Sequence, residues 1–151
     1  MPENAHREPR EVVDRAMELL LAHDMAGFAG LWAAEGTMEF PFAPEGYPER
    51  LDGRDAVTEY LRDYTDHVDL RAVTSRTVHQ TLDPEVVVVE FEVDGVAMRT
   101  GRAYRMRYIS VITVRHGEIV GYRDYWSPHA AADALGGAAE LTALGTSDGD
   151  R

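Results

Sequence analysis

Apolar residues recur at three- and four-residue intervals from Pro9 to His23, where Val12, Val13, Ala16, Leu19 and Leu20 share one face. That spacing predicts an amphipathic helix, and Pro9 suits its first turn. Residues 1–9 are polar and read as frayed. Asp24 is placed to cap a second short helix carrying Phe28, Leu31 and Trp32, with Gly36 as its stop. The pattern then switches to alternation over Thr37–Phe42, which predicts a strand, and Pro41 restricts it to an edge or an end. Residues 43–48 read as a loop. A third amphipathic helix is predicted from Arg54 to Val68, with Ala56, Val57, Tyr60, Leu61 and Tyr64 inward.

The second half reads as a four-strand meander. Its strands are Leu70–Leu82, Val86–Val93, Ala103–Arg115 and Glu118–Trp126, with turns at 83–85 and 116–117. Pro128 opens a last short helix, Ala130–Leu135, ended by two glycines. The domain is expected to span 1–141, with 142–151 as a disordered tail.

Pairing strands across a 94–102 connection places Glu92 opposite Arg105 and Glu90 opposite Arg107, both favourable charge pairs. That face then meets water or a partner subunit. The other face carries Val89, Phe91 and Val93 beside Tyr104, Met106, Tyr108 and Ser110. The last strand offers two faces, set by the loop before it. A plain two-residue turn at His116–Gly117 turns Ile119, Gly121, Arg123 and Tyr125 inward. A three-residue loop with Gly117 as a bulge turns Tyr122, Asp124 and Trp126 inward instead, and is favoured. Ser110 then opposes Asp124 and Tyr108 opposes Trp126, which sets one carboxylate among aromatic residues.

Composition narrows the chemistry. The chain has 151 residues and a net charge of −12, which disfavours nucleic acid and anionic membrane as partners. No apolar run is long enough to span a bilayer, and the N-terminus lacks a signal-peptide pattern, so a cytoplasmic location is expected. The sequence contains no Cys, which excludes thiolate nucleophiles and thiolate metal sites. All fifteen basic residues are Arg, so a Schiff-base lysine is excluded too. This bias suggests a GC-rich bacterial genome. The six His residues show no HxH or HxxxH spacing, and neither a metal nor a cofactor is expected. His79 lies in a strand with its face unassigned.

The order of elements, MEFPFAPEGYPERLDGRDAV and above all TGRAYRMRYISVITVRHGEIVGYRDYWSPHAAADALGG resemble the SnoaL-like branch of the NTF2-like superfamily over residues 10–137. The resemblance implies an α+β cone: a curved antiparallel sheet wrapped around helices and a central pocket, usually dimeric through its convex face. Its members include ketosteroid isomerases, polyketide cyclases, limonene-type epoxide hydrolases and noncatalytic binding modules. The C-terminal part is similar to the small phenazine-biosynthesis proteins, which carry a Glu as acid/base where Asp124 stands. Where ketosteroid isomerases hold their base Asp, oxyanion Tyr and second Asp, this chain has Phe40, a position near Ala16, and Ser110. The Arg and Asp of the epoxide hydrolases correspond to Phe91 and Val93, and only Asp124 matches.

Asp124 is therefore the candidate catalytic residue. A carboxyl in an apolar, aromatic pocket has its charged form disfavoured, which suits it to proton transfer near neutral pH. The alternative is a structural Asp satisfied by a helix end or a Tyr hydroxyl. Tyr104, Met106, Tyr108, Ser110, Tyr122, Trp126, Phe40 and Phe91 are the candidate substrate-binding residues, suited to a flat polycyclic ligand or simply to core packing. Glu39, read as pointing outward, is a minor second acid/base candidate. The function expected is a cofactor-free cyclase, isomerase or dehydratase of bacterial secondary metabolism. Its substrate would be a hydrophobic polyketide-like or aromatic molecule, and the chain a homodimer. A noncatalytic binding or assembly module is the alternative, and an epoxide hydrolase a lesser one.

Overall fold

In the computed structural model, which describes residues 7–137, 139, 141 and 142, the amphipathic segments form helices laid against one curved sheet. Helix α1 spans Pro9–Leu21. Glu8 and Glu11 form a reciprocal capping box at its start, and Val12, Val13, Ala16, Met17 and Leu20 are buried. Helix α2 (Met25–Ala29) is capped by Asp24, whose carboxylate accepts from Gly27 N at 2.8 Å.

The predicted second helix is too long. Leu31 and Trp32 leave it, and strand β1 starts at Trp32 and runs to Glu39. Gly36 is not a helix stop. A Cβ there would sit 2.5 Å from the Ile119 carbonyl oxygen, so only glycine lets β1 lie this close to β6. Nor is β1 an edge. A short strand β2 (Arg50–Asp52), which sequence pattern misses, pairs antiparallel on one side of it, and β6 pairs on the other. The predicted third helix breaks into α3 (Arg54–Leu61) and α4 (Tyr64–His67).

The meander comprises β3 (Val68–Gln80), β4 (Val86–Ala97), β5 (Ala103–Arg115) and β6 (Glu118–Tyr125), and α5 (Pro128–Leu135) follows. Strand order is β2-β1-β6-β5-β4-β3. The sheet is mixed rather than wholly antiparallel, because β1 runs parallel to β6. Together with the helices it forms the expected α+β cone.

The β4–β5 connection is shorter than predicted. It covers 98–102 and is closed by a 2.9 Å bond from Ala97 N to Arg102 O, with Gly101 at φ +72°. Glu92 therefore faces Arg107 and Asp94 faces Arg105, each pair displaced by two residues from expectation. Displacement by two preserves the face, so the side assignment survives. The β5–β6 turn also differs in mechanism. His116 and Gly117 both have positive φ (54° and 76°), as in a type I′ hairpin, and Arg115 pairs with Glu118 directly. The extra residue comes later. Val114 opposes Ile119, whereas Thr113 opposes Gly121, which leaves Val120 as a bulge. Ser110 opposes Asp124 as expected, but the ladder closes at Ile109–Tyr125, one residue short of a Tyr108–Trp126 pair.

Helix α5 starts two residues earlier than predicted, with Ser127 Oγ accepting from Ala130 N at 3.2 Å, and ends at Gly136 in the left-handed region. Of the predicted tail, Thr142 is helical and half-buried. The remaining tail positions, 143–151, and the N-terminal 1–6 lie outside the described residues.

Candidate functional site

The Val120 bulge fixes the site. Before it, Ile119 faces the core; after it, Tyr122, Asp124 and Trp126 do. With Val120 in regular alternation instead of a bulge, Arg123 and Tyr125 would face inward and Asp124 outward. Asp124 is instead only 9% exposed. Arg123, its sequence neighbour, is exposed on the opposite face.

Burial raises the Asp124 carboxyl from 3.8 to about 7, because no counter-charge compensates its lost hydration. Hydrogen bonds from Trp126 and Ser110 oppose that rise without cancelling it. Such a group exchanges its proton near neutral pH.

Phenols surround it. Six of the seven tyrosines line the cavity that holds Asp124; the seventh, Tyr125, packs on Phe42 outside. The hydroxyls of Tyr47 and Tyr60 are hydrogen bonded to each other. Tyr104 and Tyr108 form a second pair at 2.8 Å, which Tyr64 joins. Ser110 Oγ and Tyr122 Oη are hydrogen bonded at 3.1 Å. Burial pushes all six phenols above their ordinary range, Tyr104 to about 12, and the charge on Asp124 adds to each rise. They therefore keep their protons at neutral pH and act as hydrogen-bond donors. Packing fixes the rings: Tyr122 stacks on Trp32, Phe91 stacks on Tyr108, and Trp126 meets Tyr47 edge to face.

The cavity has a volume of about 70 Å³. That is room for a small molecule; a flat polycycle fits only if the walls move.

Of the candidate binding residues, Tyr104, Met106, Tyr108, Tyr122, Trp126 and Phe91 lie on the cavity wall. Phe40 and Ser110 are placed behind it. Phe40 is 1% exposed and packs on Tyr47, Tyr60 and Trp126, while Ser110 is fully buried between Asp124 and Tyr122. Glu39 is on the other side of the sheet, 3.4 Å from Arg50. His79 faces outward and bonds Glu90 at 2.6 Å.

Sequence pattern misses Tyr47, Tyr60 and Tyr64 as site residues. Signals for them exist: Tyr60 and Tyr64 are four apart on one helical face, and Tyr47 is an aromatic in a Pro/Gly loop. What the pattern lacks is the fold that turns them toward β6. Among the described residues no group of three His, Cys, Asp or Glu is arranged to hold a metal ion, and no helix is long and apolar enough to cross a membrane.

Known proteins share this architecture. The SnoaL-like domain model matches residues 13–122. The crystal structure of a candidate isomerase from Bacillus subtilis is 41% identical, with a TM-score of 0.82, over 89% of this chain and 94% of that one. An uncharacterized PhzA/B-like protein of Pseudomonas aeruginosa is 37% identical over 128 residues, 85% of this chain and 90% of that one. A candidate polyketide cyclase of Xanthomonas campestris pv. campestris is 18% identical with a TM-score of 0.71, over 88% of this chain and 97% of that one, a likeness of fold. The chain belongs to the SnoaL-like domain family, on the NTF2-like α+β cone.

Proposed function

We propose that this protein is a cofactor-free acid–base enzyme that moves a proton on a small carbonyl-bearing molecule, with Asp124 as the group that takes or returns it. One observation carries the reading: a carboxyl poised near neutral pH in a cavity otherwise lined by phenols and apolar side chains. The protonated phenols supply donors for the oxygen on which charge develops as the proton leaves carbon. Cyclisation, isomerisation and dehydration all begin with such a transfer. The likeness to candidate isomerase and polyketide cyclase structures supports the class, and likeness to a PhzA/B-like protein supports a role in bacterial secondary metabolism.

The test is hydrogen–deuterium exchange next to the carbonyl of small cyclic ketones, followed by NMR in D₂O. Catalysed exchange that falls about 100-fold or more in Asp124→Asn, with binding retained, is the expected result. Exchange unchanged by that substitution defeats the assignment.

A noncatalytic binding module of the same fold is the second reading. It is favoured by the resemblance, which sets Phe40, Ser110, Phe91 and Val93 at positions where related enzymes carry catalytic residues. Ligand binding without exchange would select it. We further propose a homodimer through the outer sheet face, where Phe42 and Ile109 are 62% and 45% exposed. A native mass spectrum at monomer mass would refute that.

A further inference from the structure

The acid–base reading leaves open the charge of the molecule that enters the cavity. Among the described residues, Asp124 is the one acidic or basic residue on its wall. Arg105, Arg107 and Arg123, on the two strands that carry Tyr104, Tyr108 and Tyr122, are exposed on the opposite face. An anionic ligand would meet a buried carboxylate with no cation beside it, at low dielectric where like charges repel strongly. A cationic ligand meets the reverse. Aromatic ring faces and phenol oxygens present negative potential, and the carboxylate lies among them. The small cavity volume suits a compact head group.

We propose that this cavity binds a small organic cation, an alkylamine or quaternary ammonium head, held between the aromatic wall and the Asp124 carboxylate. This rests on reading the cavity as the ligand site, and it deepens the proposed chemistry. A bound cation keeps Asp124 ionised, which makes it the base rather than the acid in the first step.

The groups facing Asp124 decide the pH behaviour. They are Tyr47 from the 43–48 loop, Tyr60 from α3, Tyr64 from α4, Tyr104 and Tyr108 from β5, and Tyr122 from β6. All six phenols are held above their ordinary range, so of these cavity groups only Asp124 changes charge between pH 6 and 8. As pH rises it loses its proton, and attraction for a cation grows.

The experiment is calorimetric titration of the full chain with tetramethylammonium, which cannot titrate, and with tert-butanol, its neutral near-isostere, at pH 6 and pH 8 and constant ionic strength. The Trp126 indole N–H resonance reports where each probe binds. Tetramethylammonium is expected to bind one site about tenfold tighter at pH 8, the ratio for a group titrating near 7. Binding of tert-butanol is expected to be independent of pH. Asp124→Asn should abolish the pH dependence and weaken the cation at least tenfold. The pH series on the unaltered protein stands even if that variant misfolds. Binding of tert-butanol without tetramethylammonium, or cation binding equal at both pH values, overturns the inference and leaves the site reading intact. Binding of neither overturns both.

Discussion

Strands β4, β5 and β6 set two unlike carboxylates on the two sides of one sheet. On the outer face, Glu92 accepts from Thr74 Oγ1 at 2.8 Å and from Arg107 Nε at 3.2 Å. These bonds hold its pKa below the ordinary value. On the inner face Asp124 has two neutral donors and no cation, and burial drives it the other way, to about 7. The residue type is nearly the same. What differs is the side of the pleat, and therefore water. A solvated carboxylate beside Arg serves register and solubility; a dehydrated one stores a proton that can be moved. The choice between the two for residue 124 is made by one bulged residue four positions earlier in the chain.

Inserting one alanine between Tyr122 and Arg123 should break this comparison outright. The insertion shifts the alternation by one residue, so Arg123 and Tyr125 turn inward and Asp124 outward. An unpaired Arg in an apolar core is severely unfavourable. The expected outcome is a chain without a cooperative unfolding transition by calorimetry; a native-like transition would show that the phase along β6 does not set the face.

Asp124→Asn has the next largest effect, on stability rather than fold. The folded carboxyl titrates near 7 and the unfolded one at 3.8, so the native state binds the proton more tightly. Its contribution is fully present below about pH 4 and is lost as pH rises through 7. The loss at pH 8 is about 4 kcal/mol by the conversion of pKa to free energy. The Asn variant escapes it. Urea unfolding should find the variant more stable at pH 8 by up to about that amount, with the advantage shrinking toward pH 4. A constant difference across that range would mean that Asp124 is not dehydrated.

A smaller effect is expected at Ser110→Ala. It removes one of two donors to the Asp124 carboxylate, so the carboxyl should titrate higher still by carbon-13 NMR. An unchanged value would place the Ser110 proton on Tyr122 alone.

Much of this contrast is legible in the residues alone. Alternation along β4 and β5 separates Val89, Phe91 and Val93 from Glu90 and Glu92, and that period does not depend on register. The register itself lies two residues from the one the charge pairs suggest, because several pairings satisfy the same pattern and the 98–102 turn is decided by backbone bonding. Asp124 faces inward by a different device from the one its glycine suggests. Glycine at 117 points to a bulge there, yet Gly117 serves the turn and the extra residue is Val120, whose side chain carries no signal for it. Strand β2 has only three residues, too short for a period to emerge. Leu31 and Trp32 fit a helical face as well as a strand start. Tyr47, Tyr60 and Tyr64 reach Asp124 only through the folding of the 43–48 loop, α3 and α4 onto the sheet, a non-local event that local pattern does not encode.

The smallest effect sharpens the comparison most directly. Glu92→Gln removes a charge whose folded pKa is depressed, so the sign is opposite to that at Asp124. The stabilisation from Glu92 is present above its unfolded pKa and is lost as pH falls through the folded one. Chemical unfolding of the Gln variant should show a slight loss of stability at pH 7 that vanishes in acid, where the Asp124→Asn advantage vanishes too. Salt then separates the two sites. Arg107 is 89% exposed, so about 1 M salt, with a screening length near 3 Å, should erase much of the Glu92 effect. The Asp124 effect arises from dehydration, and should persist at that ionic strength. If both effects screened alike, the two faces would share one electrostatic environment, and the cavity would have to be as wet as the surface.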